Sequence, residues 1–454
     1  MNKKIFSSVQ MIPISFFAAI IVGALILMLP FASKEGTWTS FVDALFTSAT
    51  SICVTGLTVV DTGNYWSLFG QTVILILIQI GGLGVITVFS IIMIAAQKKF
   101  TLSDRIMLKD SLNLETTSGV IKFMIRIIKT TIITELLGAG LYSIDFIPRY
   151  GFFRGIRYSL FNSVSAFCNA GMDILGESSL EAYRSNTLVL CVTMALIVMG
   201  GGGFIVWFDI AGKVKSGIKK RFSIKQTVSR FSEHTKLVLS MTLFLILSGA
   251  LIVFVFEYNN PETIGNMNLK EKILNSFFEA VTYRTAGFCT FSQAGLTEIS
   301  CMFAYVYMFI GGSPIGTAGG VKTTTFYLAV KNVSSYLHGE DNARVFHKSV
   351  SAEQMRKAGV IVSVGVATII FLTLLLVGTN HMDMQDGFFE IVSASATVGL
   401  TRDITPKLND VGKVIVTVAM YLGRIAPISM AIFLAGINRK KKEIKNPEGH
   451  FFIG

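Results

Sequence analysis

Four glycines recur along the chain at nearly equal separations, and each follows a short segment rich in Ser, Thr and Ala. The separations are 115, 116 and 112 residues. Because glycine adopts backbone dihedrals that a Cβ forbids, such loops can turn carbonyl oxygens toward one point. Rings of backbone carbonyls replace the hydration shell of K⁺ in selectivity filters. The spacing therefore predicts a four-part potassium filter. Its residues are Val54, Thr55, Gly56, Leu57, Asn169, Ala170, Gly171, Met172, Thr285, Ala286, Gly287, Phe288, Thr397, Val398, Gly399 and Leu400.

Residue patterns that would support catalysis are missing from the sequence. The apolar segments contain no HExxH or GxSxG motif and no paired carboxylates. The five cysteines include no CxxC pair, so they predict neither a zinc site nor a disulfide framework. Near Lys322 the spacing of a phosphate-binding loop fails, since Val321 rather than glycine precedes the lysine. We therefore expect a non-enzymatic protein with no catalytic residue and no covalently bound cofactor.

Composition indicates a membrane protein. Hydrophobic residues make up 52% of the sequence, charged residues only 15%, and the mean hydropathy is +0.61. Soluble domains carry about 25% charged residues, whereas a bilayer-spanning helix needs about 20 apolar ones. The sequence therefore predicts an all-α polytopic protein embedded in a lipid bilayer. The clearest apolar segments are 11–30, 68–95, 188–208, 237–256, 360–377 and 411–434.

Basic residues are concentrated in particular segments. The net charge is +12, and 27 of the 40 Lys and Arg residues lie at the N terminus or in four other segments. The positive-inside rule places these segments and both termini in the cytoplasm. The charge is thus assigned to topology rather than to nucleic-acid binding. The intervening segments are richer in acid, which would concentrate cations in an outer vestibule. The basic segments are 96–129, 211–236, 331–357 and 438–445.

The recurring glycines divide the chain into four copies of one unit. Each copy reads as a span, a short re-entrant helix, an extended glycine loop and a second span. Extended backbone at membrane depth is tolerated only where protein buries it or where it lines a water-filled path. Four copies around an axis meet that condition, so we expect eight transmembrane helices and a pseudo-fourfold central pore. The expected repeats are 1–98, 99–212, 213–330 and 331–454.

The second span of the third repeat cannot be a continuous helix. Residues 308–326 contain five glycines, a proline and a lysine, and glycine and proline disfavour a helix interior. We expect an irregular loop, 309–325, in the cavity below the filter. A charge inside a span costs about 2.5–3.5 kcal/mol, so Arg424 should face this cavity and either repel cations or bond loop carbonyls. The loop residues singled out are Gly311, Gly312, Ser313, Pro314, Gly316, Thr317, Ala318, Gly319, Gly320 and Lys322.

Five motifs resemble those of a known family. Over essentially the whole chain the sequence is similar to the Trk/Ktr/HKT superfamily of potassium transporters, and most similar to the membrane subunits of bacterial Ktr systems. The resemblance implies that the loop 309–325 gates the pore. It also implies that glycine at all four filter positions goes with selectivity for K⁺. The motifs are CVTGLTVVDTG (53–63), AFCNAGMD (166–173), YRTAGF (283–288), ATVGLT (396–401) and GGSPIGTAGGVKTTT (311–325).

The same resemblance implies partners. Ktr-type membrane subunits form homodimers in the bacterial plasma membrane. They sit on a separate cytoplasmic ring of nucleotide-binding regulatory subunits, the KtrA-like RCK type. In this chain an apolar tail ending at Gly454 follows a basic run, and we expect its terminal carboxylate to contact the neighbouring subunit of the dimer.

Alternative functions remain open on the sequence. A substrate-coupled secondary transporter built from inverted repeats is disfavoured, because all four copies here share one orientation. A sodium-selective member of the same family is a second alternative, although the relatives that favour Na⁺ carry serine where this chain has Gly56. The residues are compatible with Na⁺ as an activator of the flux and with Na⁺ as an ion carried together with K⁺ in symport.

Overall fold

The structure, a computed structural model, describes residues 8–84, 101–111, 116–176, 179–340, 343–346 and 348–425. Within these ranges the only strands form one antiparallel pair, β1 (Arg344–Val345) and β2 (Lys348–Ser349). All other long elements are helices. They are α1 (Ser8–Leu27), α2 (Phe41–Cys53), α3 (Thr62–Tyr65), α4 (Leu68–Leu83), α5 (Leu102–Ser111), α6 (Val120–Tyr150), α7 (Phe152–Cys168), α8 (Thr187–Gly201), α9 (Phe204–Lys220), α10 (Ile224–Ser229), α11 (Glu233–Glu257), α12 (Leu269–Thr282), α13 (Glu298–Phe309), α14 (Thr323–Leu337), α15 (Ala352–Asn380), α16 (Met384–Ala396) and α17 (Asp410–Ile425).

Four short helices, α2, α7, α12 and α16, end just before the four recurring glycines. They are 13 to 17 residues long, at or below the lower limit of about 17 residues for a helix that crosses a bilayer. Polar caps define two of their starts: the Ser40 hydroxyl accepts from the backbone N–H of Asp43, and Asn268 and Glu271 form a reciprocal capping box. Their C-terminal halves are almost entirely buried, so these helices carry the glycines into the interior of the fold.

Longer helices arrange the four short ones in a ring. The helix before each short helix packs against it: α1 on α2, α6 on α7, α11 on α12 and α15 on α16. The helix after each short helix also reaches the short helix of the next unit: α4 packs on α7, α8 on α12, α13 on α16 and α17 on α2. The last of these contacts joins the end of the described chain to its beginning, so the ring is closed.

α8 and α9 form a bend rather than one span. Their axes differ by 98°, and the break falls at Gly202 and Gly203, where Gly203 has φ 86°. The apolar segment 188–208 is therefore not one continuous helix. Hydropathy does not fall at the bend, but a residue with positive φ cannot continue a right-handed helix. Gly84, at the end of α4, has φ 84° and nearly the same ψ as Gly203; the remainder of the 68–95 segment lies outside the described residues.

The segment between α13 and α14 is irregular, as its glycine and proline content indicated. Ile310 and Val321 form an isolated parallel bridge, and the backbone N–H of Gly311 donates to the Val321 carbonyl over 2.9 Å. The end of α13 and the start of α14 therefore lie side by side, and the irregular segment forms a closed loop between them. The expected repeat boundaries at 212/213 and 330/331 fall inside α9 and α14, and the division into four repeats stays a prediction.

Helix length and composition alone identify a few membrane spans. In the described part of the chain, α11 and α15 are each long and apolar enough to cross a bilayer, and the bent pair of α8 and α9 adds a third if it counts as one span. Residues 11–27 of α1, together with α2, α4 and α13, are apolar but shorter. α2 is buried in the ring of helices, and a helix that is buried in protein can be apolar without crossing the bilayer.

Lys413 of α17 and Asp43 of α2 form an ion pair across the closing contact of the ring. Their Nζ and Oδ1 atoms are 2.6 Å apart, and the side chains are 15% and 24% exposed. Lys413→Met leaves the partly buried Asp43 carboxylate without its cation. We expect the free energy of unfolding to fall by about 1–2 kcal/mol, between the values for exposed and buried pairs. Thermal unfolding of the detergent-solubilised protein, followed by tryptophan fluorescence, measures this loss.

Lys407→Met is the matched control for that experiment. Lys407 is exposed and precedes the same helix, so its replacement changes the net charge equally without breaking the pair. We expect its unfolding temperature to equal that of the unchanged protein. Equal destabilisation by both variants would show that the ion pair contributes nothing specific.

Candidate functional site

The four glycine loops share one backbone conformation. Two residues before each glycine the backbone is left-handed, with φ ranging from 53° at Thr397 to 66° at Thr285. The glycines themselves have φ between 64° at Gly171 and 102° at Gly56. Left-handed backbone costs about 1–3 kcal/mol at non-glycine residues and persists where the surroundings hold it, often at ligand sites. The left-handed residues are Val54, Asn169, Thr285 and Thr397.

Each glycine lies against a backbone carbonyl of the loop in the next unit. That carbonyl belongs to the residue immediately before the next glycine. For three glycines an added Cβ would lie 2.5 to 2.7 Å from the carbonyl oxygen, and for the fourth it would lie closer. The four contacts form a closed cycle, so four backbone segments meet with no side chain between them. The pairs are Gly56 with Ala170, Gly171 with Ala286, Gly287 with Val398, and Gly399 with Thr55.

Hydroxyl groups at the ends of the short helices hold the loops in this conformation. The backbone N–H of Gly56 donates to Thr50 Oγ1 over 2.9 Å, and that of Gly399 donates to Ser393 Oγ over 3.0 Å. In the third unit a hydroxyl acts as donor instead, to the carbonyl of a loop residue. The Ser and Thr side chains noted in the sequence thus form hydrogen bonds with backbone groups of the loops, which have no partners in a helix or sheet.

All sixteen residues predicted for the filter are buried and are brought together by the structure. Within the described residues, the hydroxyls of Thr55, Thr285 and Thr397 have no hydrogen-bond partner in the protein. A buried hydroxyl without a partner costs about 1–3 kcal/mol. The loops therefore combine close-packed carbonyls with polar groups that the protein itself does not satisfy, which is an arrangement suited to a bare cation.

One face of the loops opens into a cavity of about 430 Å³ that all four glycines reach. Its wall includes the acidic residues Asp61, Asp173, Glu181 and Asp403. Burial raises the pKa of the Asp173 carboxyl to about 6. The pKa of Glu181 is also raised, mainly by burial and to a smaller extent by the negative charge of Asp403. At pH 7 Asp173 is still mostly ionised, and such an acidic wall attracts cations toward the glycines.

The opposite face of the glycine loops is covered by the irregular loop between α13 and α14. Thr317 Oγ1 lies 3.0 Å from the carbonyl oxygen of Phe167 and 3.1 Å from Oδ1 of Asn169. A Cβ on Gly319 would overlap the hydroxyl of Thr397. The irregular loop therefore contacts the left-handed residues of the second and fourth glycine loops.

The bend between α8 and α9 anchors this irregular loop. The N–H of Ser313 donates to the Gly201 carbonyl over 2.8 Å, and the N–H of Thr317 donates to the Gly200 carbonyl over 3.1 Å. In return the N–H of Phe204 donates to the Ile315 carbonyl over 2.9 Å. Sequence reasoning missed these partners, although the run of four glycines at 200–203 was a signal that backbone comes close there.

Two cationic side chains bond the backbone of the irregular loop. The guanidinium of Arg424 donates to the Thr317 carbonyl and to the Gly81 carbonyl of α4, each over 2.5 Å. The ammonium of Lys322 donates to the Ala318 carbonyl over 2.6 Å. Arg424 therefore joins the loop to a helix of the first unit, whereas Lys322 stays within the loop.

Comparison with known proteins decides the family. The sequence model of the TrkH family, described as a cation transport protein, matches residues 8–442. The chain belongs to the TrkH family. The potassium/sodium uptake protein NtpJ of Enterococcus hirae is 36% identical to it, with 100% of this chain and 98% of that protein covered. The Ktr system potassium uptake protein B of Bacillus subtilis is 38% identical, with 99% and 97% covered.

A solved member shows the same fold. The crystal structure of the potassium transporter TrkH from Vibrio parahaemolyticus has a TM-score of 0.73 with this chain at 15% identity, covering 95% of this chain and 86% of that one. Membership of the TrkH family confirms the expected resemblance and makes the protein a multi-pass membrane transporter rather than an enzyme. Gly454, expected to contact a second subunit, lies outside the described residues.

Proposed function

We propose that the protein conducts K⁺ through the centre of the ring formed by its four glycine loops. The observation that carries this proposal is the closed cycle in which each glycine contacts a carbonyl of the next loop. A ring of carbonyl oxygens replaces the hydration shell of K⁺. The Ktr system relatives, which are named potassium uptake proteins, support K⁺ as the transported ion.

The proposed path begins in the acidic cavity and ends at the irregular loop. Carboxylates on the cavity wall raise the local concentration of cations before they enter the filter. Four units, each with two spans and one short helix, surround this path with pseudo-fourfold symmetry and give eight transmembrane helices. The cyclic packing of the second helix of each unit on the next short helix supports this arrangement.

We assign the role of gate to the loop 309–325. It contacts Asn169 and Thr397 on the side of the filter away from the acidic cavity, so it lies across the proposed path. Its glycines permit a second backbone arrangement at small cost, which a switch requires. Arg424 and Lys322 bond carbonyls of the arrangement seen here and would stabilise the closed state.

The proposed setting is the bacterial plasma membrane with both termini in the cytoplasm. Two copies of the chain would form a homodimer, to which Gly454 contributes a contact. A cytoplasmic ring of KtrA-like nucleotide-binding subunits would control the gate. Relatives that are named as proteins B and D of Ktr systems support the presence of partner subunits.

Sodium enters the proposal as an activator or as a second transported ion. The Enterococcus hirae relative is named a potassium/sodium uptake protein. Glycine at every filter position, including Gly56, favours K⁺ as the main substrate in this chain.

Rubidium uptake into vesicles that contain only the purified protein tests the proposed function. We expect uptake down the gradient of rubidium itself, competition by K⁺, and a measurable change when Na⁺ is added. Uptake that requires exchange for, or symport with, another solute would instead support the substrate-coupled transporter. Stronger competition by Na⁺ than by K⁺ would support the sodium-selective alternative.

Acidification of the outer side is expected to weaken cation entry through Asp173. Because burial raises the pKa of this carboxyl to about 6, it is charged above that pH and neutral below it. We expect the apparent KM for rubidium to rise about fivefold between pH 7.5 and pH 5, the change that 1 kcal/mol of lost attraction produces. Asp173→Asn should show the high KM at both pH values.

Glu35→Gln is the control for this measurement. Glu35 is exposed and does not line the acidic cavity, so this variant should keep the pH dependence of the unchanged protein. If Asp173→Asn also keeps it, another group causes the pH effect.

A further inference from the structure

A second cavity, of about 360 Å³, lies at the bend between α8 and α9. α8 begins beside the acidic cavity and runs away from it, so this second cavity lies toward the other side of the protein. Eight apolar side chains and two threonines line it, with Phe167, Phe204 and Trp207 among them. Its mouth passes Ala211 and Val214, which are exposed. A cavity of this volume and lining is suited to hydrocarbon.

α9 has the composition of a helix that lies in the membrane surface. It turns by 98° from α8, and exposed lysines follow its apolar start. Basic amphipathic helices of this kind bind anionic lipid surfaces. The acidic residue of α9, Asp209, is turned away toward α11, where it accepts from the Ser232 N–H and the Thr235 hydroxyl. The exposed lysines are Lys213, Lys215, Lys219 and Lys220.

Cationic side chains surround the mouth of this cavity. The guanidinium carbon of Arg126 lies 5.3 Å from the centre of the Phe208 ring, which is part of the wall. Lys129 is exposed and precedes a threonine of the wall, and Lys215 is exposed on α9 about one helical turn after Ala211 of the wall. An apolar interior with a basic rim is complementary to a lipid that has a negatively charged headgroup.

We infer that this cavity binds an anionic phospholipid, with an acyl chain between α6 and α9 and the phosphate beside Arg126, Lys129 and Lys215. The wall is connected directly to the irregular loop. Phe167 accepts a hydrogen bond from Thr317 through its carbonyl, and Phe204 donates one to Ile315 through its N–H. A bound chain restrains both phenylalanines and so favours the loop position seen in the structure.

Quenching of Trp207 by phospholipids with brominated acyl chains tests the binding. The protein carries Trp38→Phe to remove an exposed tryptophan, while Trp66 is fully buried and contributes a constant signal. Vesicles of phosphatidylcholine contain a minor fraction of brominated phosphatidylglycerol or of brominated phosphatidylcholine. We expect stronger quenching by the phosphatidylglycerol, and equal quenching by the two lipids would overturn the inference.

Two sets of variants separate the cavity from the surrounding surface. Ala211→Phe fills the mouth and should abolish the difference between the lipids, whereas Ile218→Phe, at a position that is 75% exposed on the same helix, should preserve it. Each of Arg126→Gln, Lys129→Gln and Lys215→Gln should lower the apparent affinity for phosphatidylglycerol about fivefold. Insensitivity to both Ala211→Phe and the three charge variants would mean that a second protein chain, or another segment of this one, occupies the cavity.

The effect on flux rests on the proposed function and is measured separately. We expect slower basal rubidium uptake in vesicles with phosphatidylglycerol than in phosphatidylcholine alone, and no difference for Ala211→Phe. Absence of uptake in either lipid, with quenching intact, would count against the proposed function and not against the lipid site. Equal uptake by the unchanged protein in both lipids, with quenching intact, would overturn the connection between the cavity and the loop.

Discussion

Gly56→Ser is expected to reduce the preference for K⁺ over Na⁺ by about tenfold or more, the change that 1.4 kcal/mol produces. A Cβ at this position would lie 2.7 Å from the carbonyl oxygen of Ala170 and 3.2 to 3.3 Å from the Cα atoms of Gly171 and Gly399. All three neighbours are backbone, which cannot rotate away as a side chain can. The carbonyls of at least two loops must shift, so the ring no longer matches the ion.

Gly36→Ser provides the control for backbone strain. Gly36 also has a positive φ, 69°, but no atom lies within 4 Å of the position its Cβ would take. The two variants therefore share the conformational penalty and differ in the contact with the ring. Competition of Na⁺ against rubidium uptake measures the preference in each. A Gly56→Ser protein with normal uptake and an unchanged preference would remove the first loop from the filter.

Arg424→Ala is expected to raise basal flux in the absence of any regulatory subunit. The variant removes two hydrogen bonds from a charged donor, one of them to the Thr317 carbonyl of the loop. Such a bond contributes about 1.5–3 kcal/mol, so its loss shifts the open-to-closed ratio roughly 10- to 150-fold. Deletion of residues 312–319 should act in the same direction. Selectivity should remain, because neither change alters the four glycines or the carbonyl groups that they contact.

Arg356→Ala serves as the control for this prediction. Arg356 is exposed on α15, so its loss removes the same charge without disturbing the loop. Rubidium uptake in protein vesicles without partner subunits gives the comparison. Flux through Arg424→Ala no higher than through Arg356→Ala would show that Arg424 does not hold a closed state. A collapse of selectivity in the deletion variant would place the loop in the filter rather than below it.

The short helices and their glycines could be predicted from the sequence because both depend on local composition. A segment of 13 to 17 residues with small hydroxyl residues is recognisable without knowledge of its neighbours. The left-handed backbone at Val54 and Thr397 was not predictable, since β-branched residues disfavour it. It exists because the neighbouring loops and the hydroxyls of Thr50 and Ser393 hold the chain there.

The 98° bend and the second partner of Arg424 could not be inferred from sequence for different reasons. Hydropathy is continuous through Gly202 and Gly203, so an apolar-segment search reports one span. The Gly81 carbonyl is 343 residues from Arg424, and no local pattern relates them. The cost of a charge in a membrane predicted only that Arg424 faces the cavity, and the sequence left open whether it repels cations or bonds loop carbonyls.

The contact between α17 and α2 determines when during synthesis the central ring can form. Its ion pair joins residues 370 positions apart, and the Gly399 contact with Thr55 likewise depends on the fourth loop. Contacts between residues so far apart in the sequence form slowly, and until they form the partly folded chain exposes hydrophobic surface. The nascent protein therefore holds three glycine loops without their fourth neighbour until Gly399 has been synthesised. We expect insertion of the last helices to be the step that commits the chain to its native state, and the step most dependent on quality control in the membrane.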